Sequence, residues 1–487
     1  MFYIGIDLGT TSVKLLLVDD QGKVVNIISK DYPLSFPHPG WSEQNPEDWW
    51  KQTVTGLREL TTGIDTSLVR GIGYGGQMHG LVILDENDDV IRPCILWNDN
   101  RTAQQTDWLN NTVGKETLSH CTANIAFAGF TAPKLLWLRE NEPASFMRIK
   151  RIMLPKDYIN YKLTGVHCTD YSDASGTLLL DVEHKCWSEQ MCRICSVQES
   201  WLPKLYESYE PVGKVINDEL PFLKDVVVAA GAGDNAAAAI GTNTLASGTC
   251  NISLGTSGTI FIANDDFSVD PGNSLHSFAH ASGRYHLMGC ILSAASANKW
   301  FLEDILGSTD YAGILKDITD EKLGNGTVYF LPYLMGERSP LNDSDARACF
   351  VGMDMTSTKA EMDLAVLEGV AFAFRDCLEA AGTGQLKITA STLCGGGAKS
   401  ALWRRIIANV LNIRIDIPAA EEGPGYGGAL LAMTAAGEFT TIQECAAHFS
   451  VIHESVIPNP EIAARYEKKY WTFRKIYPAL KEIFKEL

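Results

Sequence analysis

No apolar run in this chain reaches the length of a membrane span, so a helical integral membrane protein is not expected. Basic residues are scarce. Forty-one Lys and Arg stand against 59 Asp and Glu, a formal net charge of −18. Phosphate backbones reward clustered cations, so a nucleic-acid binder is not expected either. The acidity is an ordinary source of solubility, and it still allows a small anionic nucleotide held by backbone dipoles and a metal ion. The twelve cysteines lack any disulfide-like framework. Cys192 and Cys195 form one C-x-x-C with no second pair or His nearby, which reads as two helix-borne thiols and not a zinc site. The N-terminus has no basic region and Asp7 breaks its apolar strand, so no secretory signal is read. A reducing cytoplasm is the expected location. His-Glu-x-x-His, Gly-x-Ser-x-Gly and EF-hand patterns are absent, as are low-complexity stretches and long linkers.

What remains is ordinary globular material, 45% hydrophobic and 21% charged over 487 residues. That is too long for one core, and two domains of about 200–250 residues are expected. The break falls near 243–250, giving domains 1–246 and 247–487. A repeat supports the division. Leu8-Gly9-Thr10-Thr11-Ser12 ends one apolar strand and Leu254-Gly255-Thr256-Ser257-Gly258 ends another, each followed by a second apolar run. Glycine lets consecutive N–H groups converge on an anion, and the hydroxyls add donors. Each copy alone could be a tight hairpin turn. As a matched pair they suit a polyphosphate, with the hairpins of two related domains facing a shared cleft.

Strands are expected at 3–8, 12–18 and about 22–31, then near 69–75, 81–84, 226–230, 250–263, 284–292 and 388–394. Helices are expected from Pro46 with Asn45 as cap, near 132–141, 156–163, 188–195, 294–306 and 359–382, with a docked terminal helix at the end. Asp7 precedes the first glycine turn. It reads either as a hydrogen-bonded turn aspartate or as a Mg2+ site beside phosphates, and the metal is the favoured reading. Asp234 follows a strand and two glycines and opens an alanine-rich helix. It reads as an N-cap, or as a base that accepts a hydroxyl proton during phosphoryl transfer. Both roles coexist only if the cap bond leaves one oxygen free. Gly231-Ala232-Gly233-Asp234-Asn235-Ala236 also fits a dinucleotide fingerprint, but the carboxylate inside the loop and the missing acid about twenty residues on argue against it. Gly395-Gly396-Gly397-Ala398-Lys399-Ser400 fails as a Walker loop; a strand–Gly₃–helix junction suits an adenosine ring or simply tight packing. His79, in a glycine-flanked loop, could bond a substrate hydroxyl or cap its turn.

Asp7-Leu8-Gly9-Thr10-Thr11-Ser12, Gly233-Asp234-Asn235, Gly255-Thr256-Ser257-Gly258 and Gly395-Gly396-Gly397 stand in the order and spacing of the FGGY carbohydrate kinases. So do Gly129-Phe130-Thr131-Ala132-Pro133-Lys134 through Asn141, and Ala348-Cys349-Phe350-Val351-Gly352-Met353 through Glu368. The agreement runs from about residue 2 to 435, and the chain is identified as a member of that family by resemblance. The resemblance implies an α/β fold of two actin-like (ribonuclease H-like) ATPase domains, each a mixed sheet flanked by helices, with an interdomain cleft. It implies ATP and Mg2+ as cofactors, with Asp234 as base and Asp7 at the metal. Met78, His79, Asp234 and Asn235 would line the sugar pocket. Thr10, Thr11, Ser12 and Thr256 would hold phosphates and Gly396 and Gly397 would flank adenosine, with Trp300, Lys399 and Ser400 as neighbours. Gly76-Gln77-Met78-His79-Gly80, Trp97-Asn98-Asp99-x-Arg101, Trp41-Ser42-Glu43-Gln44, Leu154-Pro155-Lys156-Asp157-Tyr158 and Ser172-Asp173-Ala174-Ser175-Gly176-Thr177 resemble the members that phosphorylate D-xylulose. Other ketoses or polyols stay open, as does an actin- or chaperone-like ATPase, which would have no use for a sugar pocket. Ala232 stands where the family pattern has glycine; a methyl there should be tolerated, though it could crowd the sugar. The implied partners are a small sugar and ATP, and a homodimer is possible.

Overall fold

The computed structural model describes residues 1–382, 387–419 and 423–487. The chain forms two compact units. The first holds Met1–Leu245, Ser277–His286 and two helices from far along the chain, Gly423–Ala435 and Ile442–Phe449. The second holds Ala246–His276, the described residues of 287–419, and Val451–Leu487. The division read from the sequence, 1–246 and 247–487, differs from this because the chain returns twice to the first unit. Of the sequence motifs, all lie within the described residues.

In the first unit β1 (Phe2–Leu8), β2 (Ser12–Asp19), β3 (Val24–Asp31), β4 (Val69–Gly76), β5 (Pro211–Lys214) and β6 (Val227–Ala229) form a sheet in the order β5-β6-β4-β1-β2-β3, and a short β7 (Ala232–Gly233) also pairs with β4. β1, β2 and β3 are an antiparallel meander, while β4 runs parallel to β1, β6 and β7. Asn45 caps α1 (Pro46–Leu60) by accepting the Glu47 N–H. That helix joins Trp49, Val54, Leu57 and Leu60 to Ile4, Ile6, Leu8, Leu15 and Leu17 in one core. β1 and β2 are buried on both faces, so their apolar runs are nearly continuous, whereas the edge strand β3 alternates half-buried and exposed residues. Further along come α2 (Pro155–Thr164), α3 (Tyr171–Ser175) and α4 (Asp234–Gly241).

The second face explains the late return of the chain. Gly5 on β1 and Gly71 and Gly73 on β4 make a side-chain-free stripe that receives the glycine-rich helix Gly423–Ala435. A Cβ on Gly5 would lie 1.9 Å from the Gly425 carbonyl oxygen, and one on Gly73 2.3 Å from that of Gly428. Against α4 the fit is tighter still, since a Cβ on Gly427 would fall 1.8 Å from the Ala237 carbonyl. Backbone against backbone leaves no side chain to give way. We therefore expect Gly427→Ala to cost about 1–3 kcal/mol or more by overpacking, read as a loss of several degrees in thermal melting. An unchanged midpoint would mean that this helix does not seat as described.

The second unit repeats the plan. β8 (Thr249–Leu254), β9 (Gly258–Asn264), β10 (Ala390–Cys394), β11 (Arg414–Pro418) and β12 (Ile452–Val456) lie in the order β9-β8-β10-β11-β12. β8 is antiparallel to β9 across the second glycine turn and parallel to β10, as β1 is to β2 and β4. α5 (Lys359–Ala381), opened by a Thr358/Glu361 capping box, and α6 (Ala401–Leu411) bury Val366, Val370, Phe374, Ile406 and Val410 with Ile252, Ile260 and Ile262. The expected helix at 294–306 is α-helical only over Ala295–Lys299 and widens to a π-helix at Trp300–Ile305. The chain's end is two helices, Pro460–Phe473 and Ile476–Phe484. Cys192 and Cys195 both lie on the helix Glu189–Cys195, as thiols. No helix among the described residues is long and apolar enough to cross a membrane.

Candidate active site

The first glycine turn is built so that its acceptors face the protein. The Tyr32 hydroxyl donates to the Gly9 carbonyl, the Gln44 amide to the Thr10 carbonyl at 2.7 Å, and the Tyr32 N–H to the Thr11 carbonyl at 3.2 Å. In a trans peptide the C=O and the following N–H point opposite ways. The N–H groups of Thr10 and Thr11 therefore turn away from those donors, on a turn where Thr10 and Ser12 are half-buried and Thr11 is exposed. Trp97 donates its indole N–H to the Thr10 hydroxyl at 3.0 Å. The loop bearing Trp97 is pinned by Asp99, which takes the Ser42 N–H and the Arg101 guanidinium, and Arg101 lies 3.7 Å over the Trp41 ring.

The second turn, in the other unit, uses different donors for the same purpose. The Ala295 N–H donates to the Gly255 carbonyl at 2.8 Å, and the N–H groups of Ala294 and Ser296 and the Ser296 hydroxyl donate to the Thr256 carbonyl. Thr256 and Ser257 are exposed. Turns whose carbonyls are occupied from behind leave their N–H groups and hydroxyls as the donors that an oxyanion would need. Nearby in the same unit, a Cβ on Gly397 would meet the Leu254 side chain at 2.6 Å, whereas one on Gly396 would meet nothing within 4 Å. The Gly₃ junction is thus tight packing at one glycine and open surface at the next. Lys399 is exposed, and Ser400 is the N-cap of α6, accepting the Trp403 N–H. Trp300 is half-buried and stacked at 6.3 Å on Phe330.

Asp7, next to last in β1, is half-buried and in register with Lys14 on β2 and Gly75 on β4. Burial, and then the Asp7 charge, push the Tyr32 hydroxyl far above its ordinary range, which places Asp7 beside the first turn. Among the described residues no three or more His, Cys, Asp or Glu are arranged to hold a metal by themselves. A single hard carboxylate beside a phosphate cradle is the donor set Mg2+ accepts, because that ion keeps waters and shares substrate oxygens.

Asp234 is the first residue of α4, and the cap position belongs to Gly233, which has no side chain to offer. This corrects the N-cap reading. The Asp234 Oδ1 instead accepts both the N–H and the side-chain amide of Asn235, at 2.7 and 2.9 Å. Oδ2 takes no bond from the described residues. Burial raises the carboxyl to about 6, with the Asn235 bonds pulling the other way. Met78, buried, packs on Gly233, where a Cβ would lie 2.9 Å from its sulfur. His79 adopts a left-handed φ of 69° and sends its Nδ1 to the Gly176 carbonyl at 2.8 Å, with its ring stacked at 4.7 Å on Phe130. A carbonyl only accepts, so Nδ1 carries the proton and Nε2 is the acceptor when the ring is neutral. The buried Lys134 holds the His79 carbonyl at 2.8 Å and the Gly129 carbonyl at 2.6 Å, and burial lowers its ammonium to about 7. The Ala232 methyl is wholly buried within β7.

Models of the FGGY family of carbohydrate kinases match residues 2–241 with the N-terminal domain and 250–436 with the C-terminal domain. The chain belongs to that family. As an FGGY kinase it is an ATP-dependent sugar kinase with two actin-like domains, each a mixed sheet flanked by helices. The xylulose kinase of Escherichia coli K12 is 38% identical over 98% of this chain and 99% of its own length. That of Bacillus subtilis 168 is 36% identical over 99% and 98%. Among solved structures, a xyloylose kinase of Brucella ovis superposes with a TM-score of 0.94 at 38% identity, covering 99% of this chain and all of its own. A gluconate kinase of Lactobacillus acidophilus reaches 0.93 at 28%, covering 98% of each, so the FGGY backbone alone does not choose a sugar.

Tyr32 is a positioning group that the sequence did not announce, being one polar residue in a stretch with no repeated spacing. Gln44 and Lys134 lie within the Trp41–Gln44 and Gly129–Asn141 motifs, but no role was read for either.

Proposed function

We propose that this kinase transfers the γ-phosphoryl group of ATP to the 5-hydroxyl of D-xylulose. The new bond joins the sugar O5 to the γ-phosphorus, the bond from that phosphorus to the bridging oxygen breaks, ADP leaves, and Asp234 takes the hydroxyl proton. The observation that carries this reading is Asp234 itself: one oxygen is held by Asn235, the other is open, and its pKa of about 6 leaves it ionised but basic at neutral pH. Met78, His79 and Asn235 shape the sugar side. The Thr10–Ser12 and Thr256 turns grip phosphate oxygens, and the Gly396–Gly397 junction receives adenosine, with Trp300 and Lys399 near it. Ser400 supports that junction as a helix cap. Asp7 would hold Mg2+, which when bound supplies positive charge to the phosphates. The choice of D-xylulose rests on the relatives that match over nearly the whole chain at 36–38% identity.

The decisive assay is ATP consumption with purified protein against D-xylulose, other ketoses, polyols and gluconate. ADP should form one-for-one with a ketose 5-phosphate, with kcat/KM for D-xylulose at least about tenfold above any competitor. A stronger competitor would replace the substrate, and sugar-independent ADP release at the same rate would remove the sugar-kinase reading.

A further inference from the structure

Under the sugar-side loops of the first unit lies a buried charge cluster that the proposed reaction does not use. The Lys156 ammonium stands 2.6 Å from Asp157, 2.9 Å from Asp170 and 3.6 Å from Asp173. None of the four residues is more than 1% exposed. Gly76 makes room for the lysine, since a Cβ there would lie 2.8 Å from the Lys156 Cβ. Gly76 also leads into Gln77-Met78-His79 and is the register partner of Gly233, the residue before Asp234. From Gly233 a bridge descends to the cluster: its N–H donates to the Ser172 hydroxyl at 3.2 Å, which donates to Asp170 at 2.5 Å. Both loops of the sugar side rest on one salt-bridged foundation.

The cluster has three carboxylates for one cation, and a dry interior does not tolerate the surplus charge. The donors are unevenly shared. Asp157 has Lys156 and the Leu154 N–H; Asp170 Oδ2 has the Ser172 N–H and the hydroxyls of Ser172 and Ser208, and its Oδ1 has the Lys156 ammonium as an ion-pair neighbour. Neither oxygen of Asp173 receives a hydrogen bond from the described residues, and it is the farthest from the ammonium. We propose that Asp173 is a neutral carboxylic acid in the folded protein, and that the Lys156 cluster positions the Asp234 loop while sparing Asp234 a negative neighbour. The second half of this rests on Asp234 being the base. Burial foremost, then the charges of Asp157, Asp170 and Asp234, drive the Asp173 carboxyl well above its ordinary range, against the pull of Lys156. The other titratable groups facing the cluster are the Tyr74 hydroxyl from β4, Cys168 from the strand before α3, and Glu207, itself paired with Lys185 at 2.8 Å.

Melting of Asp173→Asn against the parent between pH 5 and 9 tests the first half without any assay of activity. The folded-state pKa is raised, so the stability from protonation is complete below the unfolded value and is lost as pH rises through the folded one. The parent must therefore take up a proton on folding at pH 8 and the variant need not. The midpoint of the variant minus that of the parent should grow more positive by a few degrees from pH 5 to pH 8. A flat difference, or one that falls with pH as an ionised Asp173 paired to Lys156 would give, overturns the proposal. The second half is read in pH profiles with the ketose that the panel selects. Lys156→Met leaves ionised carboxylates uncompensated and should raise the acid limb of kcat/KM by about one unit, while Asp173→Asn leaves it in place. Should Lys156→Met fail to fold, Ser172→Ala cuts the bridge without touching charge. That variant should lower kcat about tenfold with sugar KM and the acid limb unmoved. An acid limb unmoved in folded Lys156→Met, or full kcat in Ser172→Ala, removes the link to Asp234 whatever the melting shows.

Discussion

Asp234→Asn should reduce kcat by about 10²–10⁴-fold, the range that a positioned general base supplies, while the protein stays folded. The reason lies in how the side chain is held. Its Oδ1 accepts two bonds from Asn235, and the amide oxygen of an Asn can accept the same two. The helix behind it loses no cap, because the cap position is Gly233. What disappears is the lone pair at Oδ2 and the negative charge. Burial raises the parent carboxyl from 3.8 to about 6. Ionisation of this group therefore works against the fold: its contribution is fully present below the unfolded pKa and is lost as pH rises through the folded one. At pH 8 the Asn variant should be as stable as the parent or more so, by at most about 3 kcal/mol. A catalytic group kept at a cost in stability is a common compromise. The same pKa sets the parent's pH dependence, since only the ionised form accepts a proton. Below about pH 6, kcat/KM should fall tenfold per unit, and this limb should be missing from the residual activity of the variant. Near-normal turnover in Asp234→Asn, with melting unchanged, would take the residue out of the reaction.

Asp7→Asn should lower kcat by about 10²-fold or more and raise the Mg2+ concentration needed for half-maximal rate, with sugar KM within about twofold. The substitution keeps the shape at the end of β1, where Asp7 is flanked by Lys14 and Gly75, so the register that carries the first turn is preserved. It removes the negative charge beside a cradle made of neutral N–H and hydroxyl groups. Those donors bind phosphate but leave the developing charge of the transfer uncompensated. A Mg2+ titration at saturating ATP and sugar separates the outcomes. If sugar KM moves and the Mg2+ requirement does not, Asp7 belongs to the sugar side and the metal assignment falls.

Much of the architecture was readable in advance because it follows from short-range rules. The strand–Gly/Thr/Ser turn–strand repeat needs only local hydrophobic runs and glycine, and it appears as the antiparallel pairs β1–β2 and β8–β9, although Leu8 pairs with Val13 across the first turn and Leu254 with Gly258 across the second, a register one residue apart. Asn45 before Pro46 announces a helix start by its own chemistry, and the side chain does cap it. At 294–306 the apolar period announces a helix, but nothing local in it distinguishes an α-turn from the wider π-turn found at Trp300–Ile305. Asp234 was legible as a residue of interest, with an N-cap and a base role both open, and the cap position belongs to Gly233. Whether a first-turn carboxylate bonds the helix or its neighbour depends on where Gly233 places the chain, not on the residue type.

By itself the sequence determined the two related hairpins, the glycine turns, the family and the identity of the residues that could do chemistry, since all of these are carried by neighbours in the chain. Tertiary structure alone decided three things. It seated a helix from near residue 430 on the stripe of Gly5, Gly71 and Gly73, because only a surface without side chains admits a backbone at that distance. It turned the N–H groups of Thr10 and Thr11 outward, by filling the carbonyls behind them with Tyr32 and Gln44. And it gathered Lys156, Asp157, Asp170 and Asp173 into one dry cluster, where the energy of a charge depends on what surrounds it in space and not on what precedes it in the chain.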